Sequence, residues 1–314
     1  MPRHKTHKQK QNTTQLYSLN GNPFVYAKYS IPCERHPDRN EDNVLVAEYS
    51  GLAAVFDGVG GSAAGHVASQ TASRAARERW DDIIARLQLG RKKPMLLDSN
   101  TSPDLCAILE HLILEADQQV RTDGARQAGT NDLATTVAMA AVIRQPDTRD
   151  YKLVYAHVGD SRIYLLHDNE PLRRLTSDDG LLAKLIENQM LDDDGALRID
   201  QAMRVDDLSE TEYNYFRLRG GITQALGGPP TPTIHTGEIT VAAGDRILLC
   251  TDGIHDNLTD KEIEAILRST PRQSAARALV EHSLIRSRQE RYLTVRAKPD
   301  DMSAVVITCR FQSL

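Results

Sequence analysis

The chain is predicted to adopt an α+β fold of mainly antiparallel sheets with helices packed outside them, on three observations. Strand-like and helix-like runs come in blocks (strands, two helices, strands, two helices, a last strand), and alternating βαβ units are absent. Hydrophobic residues make up 40% of the chain and charged ones 26%, with a mean hydropathy of −0.44. This is a soluble globular profile that excludes a disordered or collagenous chain. No run of about 18 apolar residues occurs, so no membrane span is expected.

Two β-rich runs come first, Val44–Tyr49 and Leu52–Phe56, separated by the turn signal Ser50-Gly51. From Ser62 to Leu89 the apolar positions Val67, Ala68, Thr71, Ala72, Ala75, Trp80, Ile83, Ile84 and Leu87 recur at helical spacing. Ser102-Pro103-Asp104 reads as the start of a second helix bearing Leu105, Ile108, Leu109, Leu112 and Ile113. Strand texture follows at Ala134–Ile143, Tyr151–Val158 and Arg162–Leu166, then a short helix over Leu181–Gln189. Leu191–Gly221 is polar, acidic and weakly periodic; opened by Asp178-Asp179, it reads as a long surface excursion over about 178–221. Strands resume at Ile234–Val241 and Arg246–Cys250. Thr259-x-x-Glu262 is a capping box, Thr270-Pro271 opens another helix, and Met302–Thr308 is the last strand.

Charge is uneven. Residues 1–33 hold five basic and no acidic residues, whereas the whole chain of 314 carries −5, which leaves −10 on the remainder. Residues 1–20 are expected to be a flexible basic tail, with residues 21–314 one catalytic domain. A basic tail can touch nucleic acid or an anionic membrane; the acidic body argues against nucleic-acid binding there and suits hard-metal binding. Cys33, Cys106, Cys250 and Cys309 form no C-x-x-C pair, which suggests free thiols in a reducing compartment. No apolar segment follows the basic terminus, so no secretory signal is expected and the cytoplasm is the predicted location.

The chemistry is carried by acids beside glycines at predicted strand ends: Arg39-Asn40-Glu41-Asp42, Phe56-Asp57-Gly58, Thr251-Asp252-Gly253 and Pro299-Asp300-Asp301. A carboxylate there is held by a rigid element yet points into loop space, and glycine admits close backbone approach. Each alone reads more simply as a turn, since Asp-Gly is a common turn dipeptide. Converging, they would bind Mg²⁺ or Mn²⁺ through oxygen.

With these motifs in order, the sequence resembles the metal-dependent Ser/Thr protein phosphatases, the type 2C family, from about Tyr26 to Phe311. Further markers are Ala134-Thr135-Thr136, Gly159-Asp160-Ser161-Arg162, Leu175-Thr176-Ser177-Asp178, Ile222-Thr223-Gln224-Ala225-Leu226-Gly227 and Gly244-Asp245-Arg246. The resemblance implies a four-layer αββα sandwich and two Mg²⁺ or Mn²⁺ ions. Asp57 would bridge the ions, Gly58 would ligate through its carbonyl, Asp252 and Asp300 would complete the first site, and Glu41 would serve the second. Asp42 would hydrogen-bond a metal-bound water. The implied reaction is in-line attack of a metal-activated water on phosphoserine or phosphothreonine in a protein substrate of a Ser/Thr kinase, without a phosphoenzyme.

Three departures stand out. Pro37 occupies the family's usual arginine position, so Arg39, ahead of Arg35, is the candidate for gripping phosphate. Val59 stands where eukaryotic members carry a histidine proposed as general acid. Asp132 lies near, but out of register with, the aspartate that the resemblance offers a weak third ion. His66 is read as a packed helix histidine, Asp160 and Arg162 as a tight hairpin, Thr135 and Thr136 as sheet packing, and Asp178 or Asp179 as a helix N-cap.

The competing reading is a phosphoprotein-binding pseudophosphatase of the same fold, but Glu41, Asp57, Asp252 and Asp300 are all retained. A nucleotide hydrolase lacks its G-x-x-x-x-G-K-[ST] loop, and none of the cysteines has the setting of a thiol phosphatase.

Overall fold

The computed structural model describes residues 23–59, 64–87, 104–144 and 151–310. The strands are β1 (Phe24–Ile31), β2 (Asp42–Ala47), β3 (Leu52–Val59), β4 (Ala134–Thr135), β5 (Val137–Arg144), β6 (Tyr151–Val158), β7 (Arg162–Leu166), β8 (Arg173–Arg174), β9 (His235–Val241), β10 (Arg246–Cys250) and β11 (Met302–Cys309). The helices are α1 (Gly65–Leu87), α2 (Leu105–Gln119), α3 (Ala125–Ala128), α4 (Leu181–Glu187), α5 (Asp193–Gln201), α6 (Glu210–Phe216), α7 (Asp252–His255), α8 (Asp260–Ser269) and α9 (Ala275–Ser287).

One sheet runs β1-β11-β10-β7-β8. The other runs β2-β3-β5-β6-β9, with β4 paired to the end of β3. Every pairing is antiparallel. The layering follows from strand periodicity. On β3, Leu52, Ala54 and Phe56 pack with α1 and α2, while Ala53 and Val55 face the other sheet beside Leu249, Val305 and Ile307. On the first sheet, Leu248, Ala304 and Val306 turn outward to α8 and α9. Central strands buried on both faces must be apolar throughout, so β3 and β11 read as continuous runs. Each fully buried Leu or Phe in these layers stabilises by about 1.5–3 kcal/mol. The expected αββα sandwich is the architecture observed.

Ser50-Gly51 forms the β2–β3 turn, with Gly51 at φ +81°. A Cβ there would stand 2.5 Å from the Val142 carbonyl oxygen, so only glycine fits. Trp80, fully buried, donates from Nε1 to Ser50 Oγ at 2.9 Å and ties α1 to this turn.

Several expectations are corrected. Strand β1 was not read from strand texture: its burial is irregular because Tyr26, Lys28 and Ser30 mix with the apolar positions. Residues 1–20 and the Ser102-Pro103 opening lie outside the described residues; α2 is capped by Asp104, which accepts from Cys106 N (3.0 Å) and Ala107 N (3.3 Å). Helix α9 starts at Ala275, after a turn in which Ser274 N donates to Pro271 O. Gly159-Asp160-Ser161 makes no hairpin: β6 and β7 belong to different sheets, so this turn carries the chain across the sandwich. The 178–221 excursion is mostly helical, with α4, α5 and α6 around its own cluster of Leu191, Ile199, Ala202 and Phe216. Its short amphipathic helices give too few turns for a clear sequence period. Buried Arg162 anchors it to the body through Asp178 (2.6 Å) and Asp200 (3.0 Å), as does Arg296 through the Ala202 carbonyl (2.9 Å).

Candidate active site

Two strand ends from each sheet meet at one edge of the sandwich. On the second sheet, Asp42 of β2 and Asp57 of β3 are direct cross-strand partners. The Asp57 carbonyl accepts from Thr136 N (2.8 Å) and Thr135 Oγ1 (2.9 Å), so these threonines fix the backbone of the acid as well as pack. Gly58 N donates to Glu41 O at 3.1 Å. On the first sheet, Thr251 follows β10 and Asp300-Asp301 precede β11. Thr251 Oγ1 donates across the seam to Asp42 Oδ2 at 2.7 Å. The Asp301 carboxylate accepts from Cys33 N (2.6 Å) and Glu41 N (2.7 Å), which holds the Glu41 segment against the first sheet.

This edge is electrostatically unfavourable on its own. Burial raises Asp57 well above the usual carboxylate range, and the charges of Asp252, Asp42, Asp300 and Asp160 raise it further. Asp42 is raised by burial despite hydrogen bonds from the Ser303 and Thr251 side chains. Burial also raises Asp160, with Asp252 and Asp178 adding to it. Asp252 rises through burial, opposed by Lys298, and Glu41 rises through burial, opposed by Arg39. Like charges gathered out of water call for cations.

Two side-chain cations stand among the acids. Lys298 Nζ lies against Asp252 (2.5 Å), Asp256 (2.8 Å) and Asp300 (3.1 Å). Arg39 Nε is 3.1 Å from Glu41 Oε1. The latter two atoms are buried and close but not aligned as a hydrogen bond, so the Glu41 oxygen is left with no hydrogen-bond partner. Among the described residues, no three His, Cys, Asp or Glu side chains are drawn up as a finished ligand cage.

The donor set nevertheless fits hard divalent ions: every candidate ligand is oxygen, the acids exceed the nearby cations, and Glu41 Oε1 is unsatisfied. Gly58 adds a steric condition. A Cβ there would lie 2.3 Å from Gly65 O and 2.6 Å from Glu41 O, so the absence of a side chain brings the β3 end, the start of α1 and the Glu41 strand together.

Of the residues predicted from sequence, Glu41, Asp42, Asp57, Gly58, Asp252 and Asp300 come together, with Arg39 beside Glu41. Arg35 and Asp132 are exposed, and the acids pressing on Asp57, Asp160 and Asp252 do not include Asp132. Asp160, set aside as a turn residue, belongs to the buried acid cluster. Asp178 pairs with Arg162, and Asp179 accepts from Gly159 N at 2.9 Å; the residue at the N-cap of α4 is Gly180, without a side-chain bond. His66 lies at the start of α1 with a buried Nδ1 that makes no hydrogen bond. Gly60–Ala63, beyond Val59, lie outside the described residues.

Sequence reasoning missed Asp256, Lys298 and the clamping role of Asp301. The Asp252–Asp256 spacing of four, one helical turn, was a usable signal for the first. Arg219 Nε also reaches Asp256, at 3.1 Å, from the end of the excursion. Burial would raise Asp256, but Lys298 and Arg219 hold it well below the usual range.

A histidine pair flanks the Gly159 crossing. His157 stacks on His235 with ring centroids 4.9 Å apart, and His235 Nε2 lies 2.9 Å from Asp179. Burial, then the His235 charge, lowers His157 from 6.5 to about 4. The folded form therefore resists protonation more than the unfolded chain. The associated stability is complete above about pH 6.5 and is lost as pH falls toward 4, amounting to about 3 kcal/mol. Denaturant midpoints measured at pH 7 and pH 5 should fall less in His157→Gln than in wild type. An equal fall in both proteins would remove His157 as a source.

An αββα sandwich with carboxylates gathered where its two sheets meet defines the class. The protein phosphatase 2C family model matches residues 33–286, and the chain belongs to that family. It is 28% identical over 248 residues to the serine/threonine phosphatase stp of Listeria monocytogenes, covering 78% of this chain and 84% of that one. It is 31% identical over 255 residues to the serine/threonine protein phosphatase PstP of Mycobacterium tuberculosis, covering 78% of this chain but 39% of that longer protein. The M. tuberculosis PstP/Ppp crystal structure superposes with a TM-score of 0.65 at 26% identity, over 92% of this chain and 99% of that one. A structure of the PstP catalytic domain in complex with two manganese ions gives 0.64 at 25% identity, over 92% and 99%.

Proposed function

We propose that the chain is a Mg²⁺- or Mn²⁺-dependent protein phosphatase acting on phosphoserine and phosphothreonine, opposing a Ser/Thr kinase in the cytoplasm. The observation that carries it is the meeting of Asp57 with Asp252 and Asp300 of the facing sheet, whose charges press on the buried Asp57 carboxyl, while Gly58 N holds the Glu41 backbone at the same edge. The relatives' names and the two-manganese PstP structure support the reading. Among the described residues, no helix is long and apolar enough to cross a membrane.

Two divalent ions held by Glu41, Asp57, the Gly58 carbonyl, Asp252 and Asp300 would supply electrophilic charge at phosphorus and acidify the attacking water. The protein's own groups do the positioning. Arg39, partly exposed beside Glu41, offers a planar guanidinium that matches two phosphate oxygens. Asp42 is fixed by the Thr251 hydroxyl, with its proton affinity raised, and is assigned to orient the attacking water. Asp301 holds the Glu41 backbone in place. With Val59 where eukaryotic members carry a histidine proposed as general acid, water or another group would have to protonate the leaving alkoxide.

The test is phosphate release from a phosphothreonine peptide by chelator-stripped protein, with and without Mn²⁺. Turnover only with metal supports the reading, and metal-independent turnover overturns it. The helical excursion is assigned to selecting phosphoprotein substrates. Replacing residues 193–216 with a short Gly/Ser linker should lower kcat/KM for a phosphoprotein about tenfold more than for a small aryl phosphate, since remote contacts exist only for the larger substrate. Equal losses on both substrates would refute that assignment.

A further inference from the structure

A cavity of about 300 Å³ opens between the end of the helical excursion and the segment that leads into β11. Tyr213, Phe216, Arg217 and Arg219 line it from the excursion, Arg291 and Lys298 from the other segment. Both sides are fixed. Arg219 Nε reaches Asp256 at 3.1 Å, and its guanidinium lies over the Phe216 ring, 3.8 Å from the centroid. Val295 N donates to Met203 O at 2.9 Å, which ties the second segment to the excursion. Asn257, fully buried, accepts from Lys298 N at 3.1 Å and donates from Nδ2 to Lys298 O at 2.9 Å. The cavity shares Lys298 with the acid cluster, since the ammonium lies against Asp252 and Asp300. A Cβ on Gly220, another lining residue, would stand 3.8 Å from that ammonium. An extended peptide advances about 3.3 Å per residue, so a phosphoresidue at the centre brings residues a few positions away to this cavity.

The charge around the cavity is one-sided. Asp256 is the one carboxylate among the lining residues, and Lys298 and Arg219 already hold it. Arg217 and Arg291 are exposed, and neither has an ion-pair partner among the described residues. We propose that this cavity recognises a second negative charge on the phosphoprotein substrate, an acidic side chain or a second phosphate a few residues from the phosphate removed, through Arg217 and Arg291. This deepens the phosphatase reading above and rests on it. A guanidinium matches two oxygens of a carboxylate or a phosphate, and two free ones at one cavity favour an anion over a neutral side chain. Contacts of this kind, remote from the reacting phosphorus, raise kcat/KM for the substrates that can make them.

Phosphate release by the full chain with Mn²⁺ tests this, on phosphothreonine peptides carrying Ala, Glu or Lys at each position within about four residues of the phosphothreonine. Wild type should prefer Glu to Ala about fivefold in kcat/KM at one or two neighbouring positions, with Lys below Ala. The preference should shrink as salt is raised. Arg217→Glu/Arg291→Glu should invert the order and favour Lys at the same positions. A phosphonate analogue of phosphoserine in place of that Glu separates the two sources: a further gain assigns the cavity to a second phosphate, and no gain assigns it to a carboxylate. Wild-type rates indifferent to charge at every position, or a Glu preference that survives in the double variant, would overturn the cavity's role and leave the phosphatase reading standing. No turnover of any peptide by wild type would overturn both. Should the charge reversal unfold the chain, Arg217→Gln/Arg291→Gln takes its place, and it should bring Glu and Ala to parity.

Discussion

Asp57→Asn is expected to lower kcat on a phosphothreonine peptide by about 10³-fold or more, while the chelated variant melts no lower than wild type. The activity loss follows from removing the one carboxylate assigned to both ions. Losing several kcal/mol of charge stabilisation at phosphorus corresponds to that factor. The preserved stability is the less obvious half. Asn has the same shape, and the Asp57 backbone is held by Thr135 and Thr136, not by its carboxylate. The Asp57 carboxyl is raised by burial and by four neighbouring acids, so ionising it at neutral pH works against folding. A group raised in the folded state favours folding only at low pH and loses that contribution as pH rises through its folded value. Removing it should leave the Tm in chelator equal or higher, and shrink the rise caused by Mn²⁺. A variant with near-wild-type turnover would refute the metal assignment, and one that unfolds in chelator would refute the electrostatic account.

Gly58→Ala should be damaging for a different reason. The three atoms that the new methyl would meet, Gly65 O and C at 2.3 and 2.4 Å and Glu41 O at 2.6 Å, all belong to backbone, and none can rotate away. Overpacking of this kind costs about 1–3 kcal/mol, or roughly 1.5–5 °C in Tm for a chain this long. The displacement falls on the segment carrying Glu41, so activity should drop more steeply than stability, about 100-fold or more by analogy with other small misplacements of catalytic groups. Gly228→Ala is the control, because its Cβ would meet nothing nearer than 3.7 Å. Its Tm and kcat should stay close to wild type. Equal behaviour of the two variants would show that the Gly58 contact is not tight.

How much was legible in the sequence depended on the range of the forces involved. Tyr151–Val158, Arg162–Leu166 and Arg246–Cys250 are legible with the bounds observed, because each carries a compact apolar run (Leu153-Val154, Ile163–Leu166, Ile247–Cys250) that a central strand buries. The Thr259 capping box was equally plain, since its partners are three residues apart. Strand β1 was lost because its half-buried residues alternate imperfectly, and its register is set by β11 at the far end of the chain. The acids beside glycines are visible as local motifs, and the resemblance assigned five of them, with Gly58 and Arg39, to one site. Lys298 and Asp256 had no such marker. A lysine next to a proline looks like any loop lysine, and only the Asn257 clamp, 41 residues away, shows where it points.

The first sheet has one further consequence, for the order of events during synthesis. Strand β1 is the first of the described strands in chain order, yet its sheet neighbour among the described residues is β11, the last of them, and β11 also lies between β1 and β10. Until Met302–Cys309 leaves the ribosome, the sheet lacks an inner strand, and Asp300 and Asp301 have nothing to be anchored on. The second sheet is complete from residue 241 onward and can form while the chain is still growing. Between the making of residue 241 and that of β11, the nascent chain is therefore a half-built sandwich with an open inner face and without the Asp300 side of its centre. Catalytic competence then waits for β11, which seats Asp300 and Asp301.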